Sequence, residues 1–197
     1  MDERQTVIED TAHWLDAAVI GLNLCPFAKA VQVKGQVRYA VCLSLEPQDL
    51  LTQLREELLL LAQADPDVTE TTLLMAPHLW PDFLDFNDFL SDCDEVLTAL
   101  GLEGEFQIAD FHPRYQFAGT RPDDPENFTN RAPYPTLHLL RESSIDRAVQ
   151  VYPEADVIYE RNVALLNEMG HAGWQALGVQ ARCPVHTLTD PQAKETP

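Results

Sequence analysis

VRYAVCLSLEPQDLLTQLREELLLLAQADPDVTETTLLMA, residues 37–76, is the stretch from which the rest of the chain is read. Val37, Tyr39, Val41 and Leu43 alternate with Arg38, Ala40, Cys42 and Ser44, the period of a strand. Pro47 suits the first turn of a helix, and Leu51, Leu54, Leu58 and Leu61 recur at helical spacing behind it. Asp65-Pro66 ends that helix, and residues 71–76 form a short buried strand run that stops at Pro77. Two strands joined by a helix of this length call for a parallel pair and a right-handed crossover.

Upstream, Ile8, Ala12, Leu15, Val19 and Leu22 place a helix over about residues 4–23, before Pro26 interrupts it. Downstream, a third helix starts at Pro81 with Phe83, Phe86, Leu90, Cys93, Leu97 and Leu100 on one face, and Gly101 stops it. A third strand spans 105–111, a fourth 136–141, and a short helix runs from Ser143 or Ser144 towards Tyr152. The last helix, about 154–177, is expected to bury Tyr159, Val163, Leu166, Gly170, Trp174 and Leu177. The expected fold is α/β: one four-stranded, mostly parallel sheet covered by helices, with a long ordered loop between strands three and four. Strand four antiparallel to strand three is the variant left open. Residues 1–177 read as one domain and 178–197 as a flexible tail.

The net charge of −19 disfavours nucleic acid and anionic membrane, which need clustered Lys and Arg. No uncharged run approaches a bilayer span, and the start Met1-Asp2-Glu3 is unlike a signal peptide. A cytoplasmic protein is expected, and with it four free thiols at Cys25, Cys42, Cys93 and Cys183.

FHPRYQFAGTRPDDPENFTNRAPYPTLHLLRE, residues 111–142, is where function is expected. Ordered connections this long are uncommon and usually functional. Five prolines, at Pro113, Pro122, Pro125, Pro133 and Pro135, lower the entropy cost of fixing it. Arg114, Arg121, Arg131 and Arg141 are four of the chain's thirteen basic residues, and guanidinium forks match carboxylate or phosphate. The partner expected here is a small anionic molecule. Arg131 and Arg114 clamp it with Arg141 in reserve, Asn127, Asn130 and Tyr134 complete the binding set, and His112 or His138 serves as acid or base. Ligands of open parallel sheets bind beyond the strands' carboxyl ends, and His78, His112 and His138 fall near that edge if strand four is antiparallel. The competing account is that the arginines neutralise Asp123, Asp124 and Glu126.

Cys25 precedes Pro26-Phe27-Ala28-Lys29. A helix restarting at Pro26 would make Cys25 its N-cap, a position that activates thiols. This turn resembles the CPFA turn of cysteine-type glutathione transferases, and Tyr134-Pro135-Thr136-Leu137 resembles the cis-proline strand of thioredoxin-like folds. Because Cys25 precedes strand one, the simplest tracing puts it at the far edge of the sheet from the histidines. No cofactor and no obligatory metal are expected: HxH, HxxxH and CxxC are absent, and Cys183 to His186 lies in the tail.

Taken together, Leu24-Cys25-Pro26-Phe27-Ala28 and the 111–142 motif resemble an uncharacterised family of small bacterial proteins, catalogued as a domain of unknown function. The resemblance runs from the first helix to about Leu177 and implies a bacterial cytosolic protein. Three readings follow. The first is an enzyme or enzyme-like protein binding a small anion. The second is a cysteine-dependent transferase or redox protein centred on Cys25. The third is a non-catalytic protein whose acidic face (Asp85, Asp88, Asp92, Glu95) meets a basic partner.

Overall fold

The computed structural model describes residues 2–151 and 155–182. The elements are α1 (Glu3–Trp14), continued by a π-helical turn (Leu15–Ile20), α2 (Ala28–Val33), β1 (Val37–Val41), α3 (Pro47–Gln63) and β2 (Thr71–Met75). After these come α4 (Phe83–Leu100), β3 (Phe106–Phe111), a 3-10 helix (Pro125–Asn130), β4 (Thr136–Arg141), α5 (Glu142–Val151) and α6 (Ala155–Ala176). No helix among the described residues is long and apolar enough to cross a membrane.

The fold is α/β with a four-stranded mixed sheet in the order β1-β2-β4-β3. The β1–β2 pair is parallel, as the strand–helix–strand pattern requires, but β4 is antiparallel to both β2 and β3. The expectation of a mostly parallel sheet is therefore corrected to a sheet with two antiparallel pairings out of three. The cause is the connection after β3: it holds no crossover helix, so the chain turns back at the same end, and β4 slots between β2 and β3.

α3 and α4 cover one face. Leu50, Leu54, Leu58 and Leu61 of α3 and Phe86, Phe89, Cys93 and Leu97 of α4 meet Leu74, Leu137, Leu139 and Phe106 of the sheet. Asp82 caps α4, its carboxylate accepting the Leu84 N–H at 2.9 Å, and Gly101 ends it at φ 67°, a conformation glycine adopts without steric cost.

α1 crosses the other face. Arg4 reaches the Val41 carbonyl at 2.5 Å, Val7 packs on Val41, Leu73 and Met75, and Trp14 meets the Phe111 ring edge-on at 5.1 Å. The buried face of α1 holds Thr6, Val7, Asp10, Thr11 and Trp14, so the expected stripe through Ile8 and Ala12 is rotated. Polar Asp10 is tolerated inside because Tyr134 Oη donates to it at 2.7 Å and Arg182 donates from backbone and side chain. Residues up to Arg182 join this network, with Val179 buried. Cys183 to His186 lies outside the described residues. In α6, Leu166 and Trp174 are buried as expected, but Tyr159 is 50% exposed, and Gly170 (φ 62°, ψ −173°) breaks the helical path.

Candidate functional site

The 112–135 connection is tied to itself and to the α4 entry. Asn127 is fully buried: its carbonyl accepts from Phe117 N and Thr120 Oγ1, each at 2.9 Å, and its amide donates to Arg121 O at 2.8 Å. The Arg131 Nε donates to Tyr115 O at 3.1 Å and Nη2 to Pro122 O at 2.6 Å, with the guanidinium 5.0 Å from the Phe128 ring centroid. Arg114 donates to Pro81 O and pairs with Asp82 at 3.3 Å. Arg121 pairs with Asp124 at 3.1 Å. Asn130 spends its backbone carbonyl on His112 N at 3.2 Å.

His112 is fully buried beside the Phe86 ring. Its Nδ1 accepts the Arg114 N–H at 3.0 Å, so Nε2 carries the proton donated to Trp80 O at 2.9 Å. Burial pushes its pKa down to about 4. With both nitrogens engaged, His112 and Arg114 fasten the exit of β3 to the turn before α4.

Arg141 and Tyr134 are also turned inward. Arg141 Nη2 donates to Leu61 O, Ala64 O and Thr69 O at 2.7, 3.0 and 3.2 Å, at the opposite end of β4 from Thr136. Tyr134 is fully buried on Asp10. The structure thus does not gather the arginines around one cleft. Two clefts among the described residues lie elsewhere, one by Lys34, Gln36, Glu70 and Arg147 and the other by Asp94, Glu103 and Glu142.

His138 is placed differently. It sits in the central strand β4, in register with Leu73 of β2 and Ala109 of β3. Its neighbours Leu137 and Leu139 face α3 and α4, so period-two alternation turns His138 to the α1 side, where the Phe111 ring lies 6.0 Å away. Burial pushes its pKa down to about 4. It nevertheless keeps partial exposure, and no hydrogen-bond partner is found for it among the described residues.

Cys25 is delivered to that same face. α1 starts on β1 and reaches β3 at Trp14. The chain then comes back through α2, where Gln32 accepts from Tyr39 Oη of β1 at 3.0 Å. Between these points Cys25, half-buried, packs on the cluster shared by Phe111, Tyr39, Leu166 and Trp174. It is no helix cap, since α2 starts at Ala28 with Phe27 as its N-cap. The backbone before Cys25 is clamped instead: Asn23 adopts φ 54°, Arg161 donates to Asn23 O, and buried Asn162 donates to Leu24 O at 2.8 Å. The thioredoxin-like strand is corrected as well, because Pro135 follows a trans peptide bond.

Two residues of these surroundings were missed. Asn162 lies on the 162-166-170-174 row of α6, which its buried partner Leu166 already marks as inward. Asp110 shares the strand face of Phe106 and Ile108, which places its side chain on the α4 side, where Oδ2 is sealed without a hydrogen-bond partner among the described residues. Burial raises the Asp110 carboxyl, and burial together with that charge raises the Tyr115 hydroxyl.

Comparison with curated proteins finds no match, and comparison with solved structures finds none. A family model described as "Protein of unknown function (DUF1415)" matches residues 6–176, a span that includes the clamped Cys25 turn, the 112–135 connection and His138, and the chain therefore belongs to the DUF1415 family.

Proposed function

We propose that the chain is an enzyme, or is descended from one, that binds a small molecule against the α1-facing side of the sheet, with His138 and Cys25 as its reacting groups. The observation that carries this reading is His138: central in the sheet, neutral, partly open to solvent, and without a hydrogen-bond partner among the described residues. Buried polar groups in folded proteins are normally satisfied, so one left open on the face that also receives a clamped, half-exposed thiol supports a ligand site. A histidine whose conjugate acid lies near 4 does not hold an imidazolium beside a thiolate at pH 7. In this reading its free nitrogen accepts the thiol proton only as sulfur bonds to substrate. The 112–135 connection serves as a wall of the site.

The test uses iodoacetamide on a Cys183→Ser background. Cys25 is expected to be alkylated in the native protein, while Cys42 and Cys93, 4% and 0% exposed, are spared. Alkylation should displace the imidazole ¹⁵N resonances of His138 and leave those of exposed His13 in place. An alkylated Cys25 with unmoved His138 resonances would separate the two groups and end the shared-site reading.

Arg131 favours a second reading, an anion site. It is a half-buried cation with carbonyl partners and, among the described residues, no carboxylate within ion-pair distance, and burial lowers its pKa. A bound carboxylate or phosphate would offset that cost. Inorganic phosphate or citrate should then raise the melting temperature, and Arg131→Ala should abolish the rise while leaving the chain folded. An equal rise in Arg131→Ala would remove this site.

A further inference from the structure

The outer edge of β3 and the groove beside it form a separate surface. β3 is an edge strand. Its C-terminal half is already covered: His112 N–H donates to Asn130 O at 3.2 Å, and Asp110 O accepts from Asn130 Nδ2 at 3.5 Å. Both residues therefore direct their backbone groups away from β4, and the alternation of a strand gives Ile108 and Phe106 the same direction. Phe106 N–H is used by Leu102 O at 3.1 Å and Phe106 forms a bridge with Glu103, whereas among the described residues Ile108 N–H and C=O take part in no turn or loop bond. One short length of edge is left to pair.

Next to it lies a groove of about 320 Å³ with Leu97, Phe106 and Ile108 as its apolar floor and Asp94, Glu103 and Glu142 at its rim. None of these three carboxylates has an ion-pair partner among the described residues. The Ile108 and Phe106 side chains are on the α4 side, so a strand added at Ile108 would set its own facing side chain over this groove. An aliphatic stem ending in a cation satisfies both floor and rim, and the chain's net charge of −19 adds attraction at longer range.

We infer that the β3 edge is a docking site for an extended, lysine- or arginine-bearing peptide segment of a partner protein, which adds as a strand at Ile108 and lays a basic side chain between Asp94, Glu103 and Glu142. Main-chain bonds supply the attachment and the acidic groove the selectivity.

The test is fluorescence anisotropy with a labelled peptide of alternating valine and lysine, at moderate salt. Replacing its lysines by glutamate, N-methylating its backbone on the pairing side, or using the Asp94→Lys/Glu103→Lys double variant should each weaken binding at least tenfold. Asp85→Lys/Asp88→Lys, on the outer face of α4, should leave binding within about twofold. Equal binding of the N-methylated peptide would show bare attraction to an acidic protein and overturn the proposal, as would absence of binding. Self-association that the double variant abolishes would replace the partner by a second copy of the chain and overturn it too.

Discussion

Acidifying from pH 7 to pH 5 should remove roughly 2 kcal/mol of folding stability for each of His112 and His138, and about 3 kcal/mol each by pH 4. Both are held near 4 by burial, against an ordinary value of 6.5. Between those values the unfolded chain binds a proton that the folded chain refuses, so stability rises with pH across the window and falls as pH drops through it. Asp110 works the other way: its carboxyl is raised, so the folded chain takes up a proton there more readily and offsets part of the loss. Urea titrations at half-unit pH steps measure the slope. His138→Gln should remove about half of it, and the remainder belongs to His112. A midpoint that stays level from pH 7 to pH 5 would mean that neither imidazole is kept neutral by burial.

The same two histidines mark where sequence reading succeeds and where it stops. Residues 37–76 announce a strand, a helix and a strand because Leu54, Leu58 and Leu61 bury at the spacing at which they recur, and nothing distant has to intervene. Gly101 stops α4 for an equally local reason. The position of β4 is not local. It depends on how 112–135 turns, and that segment has no periodicity to read, so the antiparallel insertion beside β2 stays hidden. α1 misleads for another reason. Its inward face carries Asp10 and Thr11; Thr11 is satisfied locally by Val7 O, but Asp10 is made tolerable by Tyr134 and Arg182, far away in sequence.

The candidate site shows the same division. His138 was legible as a titratable group near the sheet, and the structure separates it from His112 by one criterion, the presence or absence of partners. Cys25 was legible as an unusual thiol, but the face it reaches depends on the path of α1 across the sheet, which cannot be traced from periodicity. The arginines were legible as a concentration of cations. Guanidinium groups, however, bind carbonyl oxygens as readily as ligand oxygens, and composition does not say which carbonyls come within reach. Arg131 and Arg141 both end on backbone.

Arg141→Ala should accordingly cost about 3 kcal/mol of stability and should leave any ligand binding near His138 intact in the fraction that folds. The side chain is 9% exposed, so its donors have no water to replace these bonds. One Nη2 holds the carbonyls of Leu61 and Ala64, at the C-terminal end of α3, together with Thr69 O from the segment before β2. Helix C-termini carry carbonyls without intrahelical donors and partial negative charge, which suits a cation there. Hydrogen bonds to a charged group contribute about 1.5–3 kcal/mol, and the half-buried carbonyls of Ala64 and Thr69 lose this donor. The guanidinium also covers the Phe106 ring, 5.6 Å from its centroid, and that contact is lost as well. For a chain of this size such a loss corresponds to a melting temperature lower by roughly 6–12 °C. Arg141→Lys should fall between the wild type and Arg141→Ala, because an ammonium keeps the charge and N–H donors but lacks the guanidinium plane that covers the Phe106 ring. Calorimetry of the three proteins orders them. If Arg141→Ala melted within about 1 °C of the wild type, the carbonyl cluster would be solvated without the guanidinium, and Arg141 would be free to act in ligand binding after all.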